Sequence, residues 1–318
     1  MKAVSLFSGA GGMDLGLFQA GLEIVWANDN DADAVSTYRR NIGNHVVLGD
    51  IREIDSSEIP ECDVVVGGFP CQGFSEANWR RTLSDDRNTL YRELLRVVGD
   101  LRPAHFIAEN VKGLVSMEKG AVLGLIVRDF EALGYKVHWR VLNAADYGVP
   151  QRRQRVIILG SRQDAAVLRH PRPTHSANSE VDGLRPWVTV GEALAHVPEP
   201  EDTHELLNHT YSKYKLRFNN YLGHRVIDPN LPAPTVTARG DDQGGVVVLH
   251  HPKNHRRMSA RELATVQSFP MDFEFCGTQT SAYRQIGNAV PPLLARALGR
   301  SLLELDDRVS YAQVTLSA

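Results

Sequence analysis

The first 160 residues alternate two kinds of segment, and this alternation narrows the possible folds more than any other property of the chain. Short runs rich in β-branched residues read as strands: "AVSLF" (3–7), "EIVWAN" (23–28), "HVVLGD" (45–50), "DVVVGG" (63–68), "HFIAEN" (105–110) and "RVIILGS" (155–161). Between them, "MDLGLFQAG", "DADAVSTYRRN", "TLYRELLRVVGDLRP" and "GAVLGLIVRDFEALGY" carry apolar residues at three-to-four spacing and read as helices. The strand runs are apolar at successive positions, which suits strands buried on both faces. Together these patterns predict a doubly wound, mostly parallel α/β sheet. Sheets of this kind bind ligands outside the C-terminal ends of their strands, so the residues just past each run become the candidates for function.

From about residue 171 the texture changes. "HPRPTHSANSEVDGLRP" is rich in proline, serine and polar residues and reads as a linker. Within 204–258, Lys213, Lys215, Arg217, Arg225, Arg239, Lys253, Arg256 and Arg257 outnumber Glu205, Asp228, Asp241 and Asp242, a mildly basic surface or a local polyanion footprint. The net charge of −3 gives no global sign of a polyanionic partner. Helical pattern returns in "SARELATVQSF" and "PPLLARALGRSLLELDD".

No run approaches the roughly 18 apolar residues of a membrane span. The N-terminus lacks the apolar stretch and cleavage site of a secretory signal. Three cysteines (Cys62, Cys71, Cys276) argue against a disulfide framework, and their spacing suits no metal site. The expected compartment is therefore the cytoplasm.

"LFSGAGGMDLG" (6–16) places glycines where a strand gives way to a helix, allowing close backbone approach to a ligand beside unpaired N–H groups. Asp29 ends the second run, where a carboxylate can take ribose hydroxyls. Asp50 ends the third, placed to accept from an adenine amino group, with Ile51 against the base. A lone carboxylate is as readily a helix cap; successive strand ends in register favour a ligand. The glycine spacing departs from the pyrophosphate fingerprint and favours an adenosyl ligand without a diphosphate.

"GGFPCQGFS" follows the fourth run. Its glycines and Pro70 specify geometry around Cys71, where a packing cysteine would sit inside the strand. The fifth run ends in "AENV" and the next opens with "QRRQR", so Glu109 and Arg155 can reach the same crevice.

These motifs, in order, "LFSGAGG", "ND", "GDI", "GFPCQGFS", "ENV", "QRRQR", "RRMSARELATVQSFP" and "QIGNAVP", span residues 6 to 292, and the chain resembles the DNA (cytosine-5)-methyltransferases of bacterial restriction–modification systems. Departures are few: Ser5 and Asn30 stand where many members have an acid and an aromatic residue, and Ser268 replaces a frequent glycine.

The resemblance implies a Rossmann-like methyltransferase domain over 1–175, a small irregular target-recognition domain over 176–275, and a C-terminal segment, 276–318, that returns to the first. It implies S-adenosylmethionine as cofactor, contacted by Phe7, Ser8, Gly9, Gly11, Gly12, Asp29, Asn30, Asp50, Ile51, Phe69, Pro70, Asn288 and Ala289. Cytosine C5 is a poor nucleophile, and addition of a thiolate to C6 makes it one; by resemblance Cys71 supplies that thiolate. A free thiol is only a few per cent ionised at neutral pH, so Arg153 or Arg155 is expected to favour the anion. Glu109 would protonate N3, which needs the carboxyl at least partly protonated, and Arg155 would hold O2.

The target base must leave the duplex. The polar stretch 75–88 is expected to close over it, with Gln72 and Ser75 near the gap. Thr235, Thr237 and Arg239 in "TVTARGDDQGG" are candidate groove contacts with double-stranded DNA. Pairing with a restriction endonuclease is implied without a stable complex, and the chemistry requires only a monomer. The competing readings are a tRNA cytosine-5 methyltransferase and a catalytically silent DNA-binding regulator.

Overall fold

The computed structural model describes residues 1–70, 89–203, 205–210, 218–219, 225–238, 247–253 and 255–315. Cys71, Gln72, Ser75, the rest of the 75–88 stretch and Arg239 lie outside the described residues. Seven strands form one sheet: β1 (Lys2–Leu6), β2 (Glu23–Asp29), β3 (Val46–Leu48), β4 (Val64–Gly67), β5 (His105–Val111), β6 (Tyr135–Asn143) and β7 (Gln154–Arg162). Their order is β3-β2-β1-β4-β5-β7-β6. All pairings from β3 to β5 are parallel, whereas β7 runs antiparallel to both β5 and β6. β1 pairs with β2 on one side and β4 on the other, so the direction of winding reverses there and a crevice opens above the strand ends.

The period of two decides which side chain meets which layer. In β4, Val65 enters one hydrophobic cluster and Val64 and Val66 enter the other. In β5, Phe106 and Ala108 face one way and Ile107 the other. The helices α1 (Gly12–Ala20), α2 (Ala32–Asn41), α3 (Thr89–Leu101) and α4 (Ala121–Ala132) connect the strands. α3 and α4 cover the Phe106 face through Leu94, Val97, Val98, Ile126 and Phe130. Each fully buried aliphatic of this kind contributes about 1.5–3 kcal/mol.

β6 is the strand that the apolar-run pattern did not announce. It is the outermost strand, and "YKVHWRVLN" alternates charged or polar residues with apolar ones. Trp139 is exposed, as suits an edge rather than a doubly buried position. Because β6 intervenes, the "QRRQR" strand is the seventh and descends where a sixth parallel strand would ascend.

Beyond the sheet come β8 (His175–Ser176) and β9 (Arg185–Pro186), a two-stranded pair, with α5 (Ser179–Asp182) between them. α6 (Val190–Leu194), α7 (Ala260–Val266) and α8 (Gln279–Asn288) follow, and α9 (Pro292–Thr315) ends the described chain. A third hydrophobic cluster gathers residues from Val190 to Ile286, and Ala10 from the glycine turn joins it. The described part of this region has little regular structure, so buried arginines hold it together. Arg261, wholly buried, donates to the carbonyls of Leu207, Pro270 and Phe273. Arg256 pairs with Glu262 at 2.7 Å, and Ser259 and Glu262 form the capping box of α7. α9 then packs on α1 through Leu17, Leu298 and Leu302.

Candidate active site

A cavity of about 560 Å³ lies along the C-terminal ends of β1, β2, β4 and β5 and is closed on its far side by residues 237–238 and 284–290. After β1 the chain turns through Phe7 and Gly9, both at φ 55. A left-handed conformation at a phenylalanine is strained, and hydrogen bonds to the end of β2 hold the turn in place. The Gly9 N–H donates to Asp29 Oδ2 at 2.7 Å, and Ser8 N–H donates to the Asn28 carbonyl at 2.9 Å. Asp29 Oδ1 accepts from Asp31 N–H at 2.9 Å. Burial raises the Asp29 pKa in spite of these bonds. Phe7, Ser8, Gly9, Asp29, Asn30, Asp50, Ile51, Phe69, Pro70, Asn288 and Ala289 all line this one cavity.

Gly11 and Gly12 do not line it. Gly11, at φ 84, is the N-cap of α1, and a Cβ there would strike Ile42 and Tyr38. At Gly12 a Cβ would meet the Val290 carbonyl, and at Gly16 the carbonyl of Pro292. The second half of the glycine-rich motif thus lets α9 lie close on α1, a packing use that the strand–helix reading did not separate from ligand approach.

Asp50 does two things at once. It caps the short helical turn Ile51–Glu53, and it forms a paired contact with Arg52, whose hydrogen bonds hold the carboxyl below the usual aspartate range. Ser5 donates to Asp14 Oδ1 at 2.7 Å inside the core. Burial pushes the Asp14 pKa up to about 6. The serine of the first strand thus faces an acid on α1.

At the other end of the cavity, Glu109 and Arg155 occupy neighbouring strands two register positions apart, since Glu109 is opposite Ile157 and Val111 opposite Arg155. Arg155 Nε lies 2.8 Å from Glu109 Oε1, with both side chains about one-tenth exposed (11% and 10%). Burial lowers the Arg155 pKa, and the Glu109 carboxylate opposes that shift. A Cβ on Gly68 would lie 3.1 Å from Glu109 Oε2, so the glycine leaves room for the carboxylate.

Asn110 was not anticipated, although it is the "N" of "ENV". Its Nδ2 donates to the Phe69 carbonyl at 2.9 Å and its Oδ1 accepts from Val111 N–H at 2.8 Å. It therefore fixes the backbone two residues before Cys71. Gln285, Gly287 and Arg284 are likewise unforeseen lining residues, and Arg284 reaches Asp31 at 2.9 Å across the mouth.

Arg153 lines the cavity, but its guanidinium is committed to packing. Nη1 donates to the Val236 carbonyl at 2.7 Å and Nη2 to that of Gly287 at 2.8 Å, and the side chain is buried. Burial and Arg155 together lower its pKa well below the usual arginine range. Of the groove candidates, Thr235 donates to the Arg152 carbonyl at 2.8 Å, while Thr237 lines the strand-end cavity with Ala238. Among the described cysteines, Cys62 has its thiol pushed up to about 12 by burial, as expected of an inert residue.

Fold and site define a doubly wound α/β enzyme whose strand-end cavity joins a nucleotide-type crevice to an acid–guanidinium pair. The chain belongs to the C-5 cytosine-specific DNA methylase family, whose model matches residues 1–304. It is similar to the Type II methyltransferase M.NgoFVII of Neisseria gonorrhoeae, 42% identical over 328 residues that cover 96% of this chain and 87% of that protein. It is also similar to M.BspRI of Lysinibacillus sphaericus, another Type II methyltransferase, 37% identical over 351 residues covering 95% and 81%. In fold it resembles the Entamoeba histolytica methyltransferase EhMeth, with a TM-score of 0.70 at 16% identity, covering 96% of this chain and 98% of that one. Among the described residues no helix is long and apolar enough to cross a membrane.

Proposed function

We propose that the protein methylates C5 of a flipped-out cytosine within a specific duplex sequence, through a covalent bond between Cys71 and C6, as the modifying partner of a restriction endonuclease. The observation that carries this reading is the Glu109–Arg155 pair. It lies in the same cavity as the Gly9–Asp29 crevice and the Phe69–Pro70 lead-in to Cys71. A nucleotide-type ligand at one end and a pyrimidine edge at the other would thus meet beside one cysteine.

The residues present fit S-adenosylmethionine. Gly9 leaves open space beside its Cα, Ile51 and Leu90 offer apolar surface for a base, and Asp29 and Asp50 offer carboxylates for hydroxyl and amino donors. When bound, that cofactor supplies an electrophilic methyl group. The chain's own residues prepare the pyrimidine to receive it. Arg155 donates to cytosine O2 and, in the unliganded site, holds Glu109 in place. Glu109 accepts from the exocyclic amine and gives a proton to N3, neutralising charge that builds on the ring as the thiolate adds. The Asn110 bond to Phe69 holds the backbone that leads out of β4. Loss of the C5 proton to water, expulsion of the thiolate and return of the N3 proton to Glu109 restore the neutral aromatic ring.

The test is methyl incorporation from labelled cofactor into duplex DNA and into tRNA, followed by bisulfite sequencing of DNA from expressing cells. Methylation confined to cytosines in one short duplex sequence is the expected result. Incorporation into tRNA alone, or into neither, contradicts it.

A further inference from the structure

A second cavity, of about 570 Å³, lies between the segment following β7 and the first turns of α9, and shares no lining residue with the strand-end cavity. One wall carries Arg169, Arg172 and Arg185, the other Arg296 and Arg300. Glu304 is the single carboxylate residue among those that line it. The chain as a whole is net negative, at −3, so this is a local concentration of cations. Among the described residues none of the five guanidinium groups has an ion pair. Some exposed arginines elsewhere are paired: Arg40 with Glu274, Arg52 with Asp50, Arg284 with Asp31.

A solvated basic face would spread its charges over convex surface. Here two elements more than a hundred residues apart aim theirs at one concavity. Arg296 and Arg300 are one helical turn apart, a like-charge spacing that by itself destabilises a helix. His170 also lines the cavity, and neither ring nitrogen has a hydrogen-bond partner among the described residues. Burial, with His138 and Arg140 nearby, lowers its pKa to about 4, so at neutral pH it carries one N–H to donate.

We propose that this cavity binds phosphate oxyanions, gripped by guanidinium forks from both walls. Two sources carry that chemistry: the backbone of duplex DNA beyond the bases being read, or a free polyphosphate-type anion. The first rests on the DNA-methylating reading above; the second does not.

Two titrations test it on the full-length protein and on Arg172→Ala/Arg300→Ala, both exposed positions. The first uses inorganic tripolyphosphate. The second measures the salt dependence of binding to a mixed-sequence duplex of about 40 base pairs, where each lost phosphate contact lowers the log–log slope by about 0.9. A tenfold or greater loss of tripolyphosphate affinity supports the proposal with a free anion as source. A slope lower by about 1.8 supports it with the duplex backbone as source. Unchanged values in both arms overturn it. Should the double variant melt early, Arg169→Ala/Arg185→Ala on the opposite wall carries the same readouts. Binding of S-adenosylhomocysteine and methyl incorporation are followed in parallel. A wild-type protein that binds tripolyphosphate but transfers no methyl group would sink the functional reading and leave this site standing.

Discussion

The two walls of the strand-end cavity are held by different means. The sheet wall is made of strand ends, and its geometry is set by backbone register and by short bonds such as Gly9 N–H to Asp29. The opposite wall, from residues 233–238 and 284–290, is made of loops and one helix end. Side chains that reach distant carbonyls hold it: Arg153 to Val236 and Gly287, Gln267 to Ile286 and Ala289, with Gln151 bonded to Val236 N–H and to Gln267. The difference is one of division of labour. A wall set by register can place an acid and a guanidinium within hydrogen-bond distance, and a wall pinned at a few carbonyls leaves its loops free to differ in sequence.

If that division holds, losses of activity and losses of stability fall on different walls. The largest effect is expected at Glu109→Gln. Removing an acid that transfers a proton lowers kcat by about 10²- to 10⁴-fold. Affinity for S-adenosylhomocysteine should stay within about threefold of wild type by calorimetry, well short of the tenfold that about 1.4 kcal/mol would produce. A variant that instead loses its thermal midpoint would break the comparison. Next comes Arg261→Met, which leaves three carbonyls, that of buried Phe273 among them, short of a donor and should cost about 3 kcal/mol in denaturant unfolding. Cofactor affinity in the folded variant should be unchanged.

Asp14 sharpens the comparison through pH. Its carboxyl titrates near 6 when folded and near ~3.9 when unfolded, so the native state favours the protonated form. That contribution is whole below about pH 4 and is lost as pH rises through about 6, a total of about 3 kcal/mol. Asp14→Asn should flatten this part of the stability–pH curve, measured by urea unfolding between those limits. An unaltered slope would show that Asp14 is not its source. The smallest effect is expected at Ser268, which sits at φ 67 while its Oγ accepts from Leu293 N–H at 3.2 Å. Ser268→Gly relieves a left-handed backbone but removes that bond, so stability should move by less than about 1 kcal/mol in either direction.

How much the sequence disclosed follows the same division. Doubly buried strands such as "VVV" at 64–66 announce themselves by composition, and the residues past them are then candidates by position. Glu109 and Arg155 were legible because each sits at a strand end. β6 was hidden because an edge strand needs only one partner and tolerates Lys136, His138 and Arg140. Gly12 looked like a ligand glycine because close approach of a helix and close approach of a cofactor require the same missing Cβ. Arg153 was named by its position two residues from Arg155, and its carbonyl contacts, 83 and 134 residues away, had no sign in the sequence. Hydrogen bonds of that reach leave no local period to read.

The central claim is a covalent bond between Cys71 and a pyrimidine, and a duplex built with 5-fluorodeoxycytidine at every cytosine position tests it whatever the target sequence. Fluorine at C5 cannot depart as a proton does, so the adduct cannot resolve after methyl transfer. The expected product is a protein–DNA complex that survives denaturant, forms only with S-adenosylmethionine, and is absent in Cys71→Ser. No such complex from wild-type protein that methylates ordinary duplex DNA, or the same complex from Cys71→Ser, would contradict the claim.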